Sequence, residues 1–450
     1  MLEAVMEGLR RLASSGRFDA PLAISFSAAM HSLLILDAQD RPLTALITWA
    51  DTRSQSAADA LHTAGEAATL HQETGVPVHP MSPMCKLIWL QETAPALMKQ
   101  AKMICGIKEY ILFQLTGQWV MDHSMASATG LFNRHTLDWH PPALALAGIR
   151  REQLPALVTG TNTLPLHPRV AETVPALKPW INRVPVVPGA SDGCLANLGS
   201  GARKGQDWAL TIGTSGALRA TVEPFTTILA SGIFQYALLP GLQVCGGPIN
   251  NGGVALCWFA EAVLDKPFRE SADIRWYMEE ALAAPAGCEG LTCLPWLLGE
   301  RAPIWDAHAT AIFDGLTIRH TRKHMMRALV EGIIFSLKAI GDQLATVSGT
   351  PERILASGGF MASENGMQLI ADIFECPVDR SQDNDASAMG AAMMGFMAVD
   401  RDVSQTSFSS WHQVKARYLP RTGTQAAYRD AYQRFRHCMD RRRPGQRTGL

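Results

Sequence analysis

Leu2, Val5, Met6, Leu9 and Leu12 recur at three- and four-residue intervals, so the chain opens inside an amphipathic helix. No Ser, Thr, Asp or Asn stands ahead of that helix to cap it. After the break at Ser14-Ser15-Gly16, residues 22–27 read as a buried strand. Residues 31–36 and 43–49 read as two more strands, joined by a turn over 37–42. Helical spacing predicts helices over 54–64, 84–92 and 108–115. The proline-bearing stretch 165–188 reads as the passage between two halves, which places a first lobe over residues 1–183 and a second over 184–450.

The second half restarts with strands. Residues 184–187 lead into Gly189-Ala190-Ser191-Asp192-Gly193, read as a glycine-rich turn. A strand over 208–212 leads into Gly213-Thr214-Ser215-Gly216, and another follows over 217–222. A strand over 353–356 runs into Ser357-Gly358-Gly359, and long helices are predicted over 323–347 and 364–374. Strands alternating with helices give an α/β fold in two lobes.

Composition narrows the picture further. Hydrophobic residues make up 47% and charged residues 18% of the 450, which is a globular balance. Lys plus Arg (40) against Asp plus Glu (41) leaves no basic excess to draw nucleic acid. The one basic cluster, Arg441-Arg442-Arg443, reads as a solvated tail. Nine scattered cysteines without a C-x-x-C pair argue against a zinc site or disulfide framework and suit a reducing cytoplasm. No apolar run reaches the roughly 18 residues of a membrane span.

Candidate chemistry concentrates in the second half. Asp192 lies just past an apolar strand, and the hairpin Gly213-Thr214-Ser215-Gly216 follows some way on. Backbone N–H groups in such a turn can converge on one anion, with the Thr214 hydroxyl adding a donor. A nearby carboxylate can take the proton of a hydroxyl that attacks a phosphate. The plain alternative is a helix cap at Asp192 and glycines that merely turn a hairpin. Gly358 and Gly359, between a strand and the helix after Ser363, form a second candidate nucleotide turn, or simply a corner. In the first half, Met30-His31 and then Trp49, Asp51 and Arg53 could hold a polyhydroxylated ligand, the indole against its carbon face and Arg53 on a carboxylate. A capped, salt-bridged strand end would also explain Trp-x-Asp-x-Arg. No Walker motif, H-E-x-x-H or G-x-G-x-x-G occurs. Gly189 to Gly193 also satisfies G-x-S-x-G, which would make Ser191 a hydrolase nucleophile.

Taken in order, these segments resemble the FGGY family of carbohydrate kinases, its gluconate-kinase branch above all. The resemblance rests on Ser25-Phe26-Ser27-Ala28-Ala29-Met30-His31-Ser32, Ile47-Thr48-Trp49-Ala50-Asp51-Thr52-Arg53, Gly106-Ile107-Lys108-Glu109-Tyr110 and Ser127-Ala128-Thr129-Gly130. It continues through the Asp192 and Thr214 segments, Gly247-Pro248-Ile249-Asn250-Asn251-Gly252-Gly253, Gly299-Glu300-Arg301-Ala302-Pro303 and Ser357-Gly358-Gly359-Phe360. It implies two actin-like (ribonuclease H-like) lobes around a cleft, with a sugar acid inside and ATP with Mg2+ at the mouth. It assigns Asp192 as catalytic base and Met30, His31, Trp49, Asp51 and Arg53 to the substrate wall. Gly213, Thr214, Ser215, Gly253, Gly358, Gly359 and Ser363 fall to the nucleotide. A homodimer is left open, and a pentulose kinase or a non-catalytic sugar- or nucleotide-binding protein are the alternatives.

The likeness breaks at the start. The family opens with a strand carrying Asp-x-Gly-Thr, whose aspartate helps hold magnesium, and no such motif precedes the first helix here. The expectation is a first lobe missing its initial strands, a metal ligand lying upstream of Met1, and a chain of poor or no activity.

Overall fold

The computed structural model describes residues 1–16, 19–202, 205–223, 229–381, 385–400, 402–404, 407–408 and 411–442. Arg443 of the basic cluster lies outside them.

Leu2–Ala13 is the expected opening helix. Its apolar stripe rests on a cluster that includes Leu9, Ile111, Leu112, Leu115, Trp180 and Val186. The helices Gln55–Thr63, Pro83–Thr93 and Ile107–Thr116 lie where the periodicity put them. The strand Ile24–Ala28 pairs in parallel with Pro185–Ser191, which also takes Leu164–Pro165 on its other side. The strand expected to open the second half therefore lies in the first half's sheet.

Residues 43–49 do not form a strand. Single bridges, Leu33 to Ile47 and Leu36 to Pro42, hold this segment beside Leu34–Leu36. Leu43 N–H still donates to Ile35 and Ile47 N–H to Leu33, so the segment is tied at both ends but not laddered. A loop of this kind frees Trp49 to leave the sheet.

A seven-stranded sheet organises the second lobe. Its order is Phe234–Leu239, Leu242–Ile249, Gly216–Val222, Asp207–Ile212, Arg353–Ser357, Val378–Ser381 and Val414–Tyr418. The first four are joined antiparallel, and Arg353–Ser357 and Val378–Ser381 add in parallel. The 27-residue helix Arg322–Ser348 crosses it, burying Leu329, Ile333, Leu337 and Ile340 in the largest core cluster. Arg353 braces two strands at once, bonding Asp207 on one side and Asp379 on the other. Among the described residues, no helix is long and apolar enough to cross a membrane.

Candidate active site

A cavity of about 280 Å3 opens where the two lobes meet. Met30, His31 and Trp49 line it from the first lobe, and Gly213, Ser215, Ala217, Arg219, Tyr236 and Arg301 from the second. Asp192 lies at the junction.

Asp192 is not in a turn. The strand Pro185–Ser191 runs straight into the helix Asp192–Gly199, so the carboxylate occupies the first helical position. A bulge sets that exit: Gly189 has φ +67°, and a Cβ there would come within 1.9 Å of the Phe26 carbonyl. Gly193 N–H donates to Asp192 Oδ1 at 2.7 Å. Burial raises the carboxyl pKa, while the Arg219 charge and the Gly193 N–H pull it back down. A Cβ on Gly193 would meet Met30 Cε at 3.0 Å and Arg219 Nη2 at 3.2 Å, which shows how closely these two cavity residues gather over this glycine.

His31 holds its place with φ +66° and Nδ1 2.7 Å from the Ala128 carbonyl. A carbonyl only accepts, so Nδ1 carries the proton and Nε2 is left as an acceptor. Burial, with Lys86 adding to it, pushes the ring pKa down to about 3, and the imidazole is neutral. Lys86 Nζ donates to the His31 and Thr48 carbonyls at 2.7 and 2.8 Å. One buried lysine thus stitches together the two segments that carry His31 and Trp49.

The hairpin is fastened from behind. Gly253 N–H donates to Gly213 O at 2.7 Å, and Gly252 and Val254 N–H to Thr214 O at 3.2 and 3.0 Å. In a planar trans peptide the C=O and the following N–H point opposite ways. The Thr214 and Ser215 N–H groups therefore turn away from Gly252–Val254, and neither meets a protein acceptor among the described residues. Gly213 N–H is spent inside the turn on Ser215 O at 2.8 Å, so two amides, not three, are available to an anion.

The same loop reaches the other wall. Glu300 accepts from the N–H of Asn250 at 2.6 Å and of Arg301 at 2.9 Å. Burial pushes its pKa up to about 7 against these donors. Arg301 bonds Asn250 Oδ1 at 2.7 Å and Ile249 O at 3.2 Å, with Trp49 beneath it at 5.4 Å. Burial lowers its pKa to about 10, so it stays charged at neutral pH.

Other expected residues stay outside the cavity. Asp51 and Arg53 are spent on each other through contacts of 2.6 to 3.0 Å, and Arg53 stacks on Trp89 at 4.8 Å. Gly358 has φ +96° and passes so near the hairpin's incoming strand that a Cβ would meet Ile212 O at 2.4 Å. Gly359 opens a short turn, and Ser363 caps the helix Glu364–Phe374 by accepting from Gly366 N–H. Ser191 is fully buried with its Oγ on Ser124 Oγ at 2.9 Å and no histidine as partner, so it is no hydrolase nucleophile. Arg219, Tyr236 and Arg301 went unassigned in the sequence. The legible signal for Arg219 was a lone charge in the apolar run from Ala217 to Val222.

The open side of Gly213 and the two unspent amides suit a phosphate. No group of three or more His, Cys, Asp or Glu side chains among the described residues could hold a metal ion alone; Mg2+ needs only one or two carboxylates beside the phosphates, and Asp192 is the carboxylate that lines the cavity.

Comparison with known proteins places this geometry. Residues 1–199 match the N-terminal domain of the FGGY family of carbohydrate kinases, and residues 208–399 its C-terminal domain. The chain is 37% identical to the gluconokinase of Bacillus licheniformis, over 95% of this chain and 84% of that one. It is 28% identical to the xylulose kinase of Escherichia coli, over 92% and 84%. The gluconate kinase structure from Lactobacillus acidophilus superposes with a TM-score of 0.90 at 35% identity, covering 98% of this chain and 87% of that one. A ligand-bound xylulose kinase from the same organism gives 0.90 at 34%, covering 98% and 88%.

Proposed function

The chain belongs to the FGGY family of carbohydrate kinases, and from that premise we propose that it phosphorylates the C6 hydroxyl of D-gluconate, giving 6-phospho-D-gluconate. The observation that carries this reading is an interlobe cavity lined both by Asp192 and by Gly213, Ser215 and Gly216 of the hairpin, with Thr214 exposed between them. ATP supplies the phosphoryl group when bound. Asp192 takes the proton of the attacking hydroxyl. The Thr214 and Ser215 amides, with the Thr214 hydroxyl, hold the terminal phosphate as negative charge redistributes over it. His31 Nε2 accepts from a substrate hydroxyl, and Trp49, 44% exposed, offers its face to the carbon chain. Between them, the lobes keep water from competing for the phosphoryl group.

Gluconate is preferred to a pentulose on two counts. The cavity wall carries two guanidinium groups, and identity to the curated gluconokinases (37–38%) exceeds that to the curated xylulose kinases (26–28%), while the two Lactobacillus acidophilus structures, at 35% and 34%, do not separate the readings. An ATP-coupled panel tests it. Gluconate should give the highest kcat/KM, with 6-phosphogluconate as product; higher turnover of xylulose would replace the proposal with the pentulose reading, and no turnover of either would match the poor or absent activity expected without an Asp-x-Gly-Thr motif.

A further inference from the structure

Resting on the sugar-acid reading, we infer that Arg219 is the residue that recognises the acid end of the substrate, its guanidinium taking the carboxylate while Asp192 faces the hydroxyl to be phosphorylated.

Arg219 is anomalous in three ways. It is a cation on a central strand of the second lobe's sheet, flanked by Leu218 and Ala220, which are both buried. It donates no hydrogen bond to any described residue, and its Nε is shut off from solvent without an acceptor. It makes no ion pair with Asp192, although the two charges sense one another. Every other arginine of the inner walls is spoken for. Arg301 holds Asn250 and Ile249, and Arg134 bonds the Gln72 carbonyl and Gln235. Arg219 is half-buried, and its Nη groups, unlike Nε, open onto the cavity with no protein acceptor among the described residues. Since Arg219 lines the cavity, the partner for those groups is a ligand.

Its position selects which part of the ligand. Ser215, Ala217 and Arg219 all line the cavity, one after another at the two-residue period of a strand. At about 3.3 Å per residue, the Arg219 backbone lies roughly 13 Å along the strand from Ser215, and its side chain returns toward Gly193, with Nη2 3.2 Å from where a Gly193 Cβ would stand. The phosphate end of the cavity is at the hairpin, so an extended six-carbon acid with its terminal hydroxyl between Asp192 and the hairpin points its other end along this strand. Arg301 lies in the same cavity wall, and its charge and that of Arg219 disfavour one another. A carboxylate between them relieves that repulsion, and the guanidinium fork matches it bidentately. A neutral ketose supplies no such partner, so the same residue that binds an acid penalises a pentulose.

The test uses D-gluconate and its neutral isostere D-gluconamide on the full chain, read both as kcat/KM and as Kd by calorimetry, which needs no turnover. The unmodified protein should prefer gluconate by about 100-fold, the size expected for a desolvated charge pair. Arg219→Gln should bring the ratio to within a few-fold of one, and Arg219→Lys, which keeps charge but not the fork, should fall between. Any effect of Arg219 on Asp192 strikes both compounds alike and cancels in the ratio. A ratio that Arg219→Gln leaves intact overturns the inference while the gluconate-kinase reading stands. A ratio near one in the unmodified protein, with gluconate still phosphorylated, overturns it too. Failure to bind either compound overturns both. If Arg219→Gln does not fold, the Lys variant and the unmodified ratio decide.

Discussion

Two Asp/Arg couples, one outside the cavity and one lining it, behave in opposite ways. Asp51 and Arg53 are two residues apart and satisfy one another with a closest contact of 2.6 Å, the arginine side chain 60% exposed. Asp192 and Arg219 come from different lobes, meet over Gly193, and form no ion pair. The first couple has used its bonding capacity on itself and can only brace a loop. The second keeps its capacity for something that enters the cavity. Charge type did not separate them; whether the hydrogen bonds were already spent did.

The largest expected effect comes from breaking the unspent couple at its acid. Asp192→Asn keeps the shape but cannot accept a proton, so kcat should fall by about 10²–10⁴ while the gluconate Kd moves little. Full turnover in that variant would remove Asp192 as the base. A smaller effect reports the coupling itself. The base must be ionised, so kcat/KM should rise with pH through the Asp192 pKa, and Arg219 holds that pKa down. Arg219→Gln removes the cation, raises the pKa and should move the acid limb of the profile to higher pH, by up to about one unit. A limb that stays put, or moves to lower pH, would show that the two charges do not communicate. The smallest effect belongs to the other couple. Arg53→Ala should change stability by under about 1 kcal/mol in a thermal melt, because an exposed ion pair is worth little, and should leave gluconate kinetics within a few-fold. A hundredfold rise in KM would put Arg53 back on the substrate wall.

The hairpin offers a matched pair of its own. Gly358→Ala forces a Cβ into the Ile212 carbonyl at a φ that alanine resists, and should cost about 1–3 kcal/mol in chemical denaturation. Gly359→Ala, whose Cβ would find only Ile274 Cδ1 at 3.8 Å, should cost far less. Equal losses would mean that the close approach is not what requires glycine.

Much of this was legible in the chain. Asp192, Met30, His31, Trp49 and the hairpin each sit in a contiguous run with its own local logic, and the helices followed from apolar spacing alone. Three things were not legible. Asp192 read as a turn residue because Gly189 and Gly193 looked like one break; the first makes a bulge and the second lies inside a helix, a distinction that depends on Phe26 and Met30 from elsewhere in the chain. The segment after Pro42 alternates like a strand, yet its pairing is interrupted, because it must release Trp49 into the cleft. The role of the asparagines and Glu300 was hidden for the same reason: 250–253 and 299–301 are far apart in sequence, and only their contact shows that one loop braces both the hairpin and Arg301. Local pattern carries local geometry; unspent donors become visible only when every neighbour is in place.

A crystal structure of the Asp192→Asn variant with D-gluconate tests the central claim most directly. The C6 hydroxyl should lie within about 2.6–3.2 Å of residue 192 and the carboxylate on the Arg219 guanidinium. Gluconate lying reversed, with its carboxylate at the hairpin, or bound outside the cavity lined by Met30, His31 and Trp49, would contradict it.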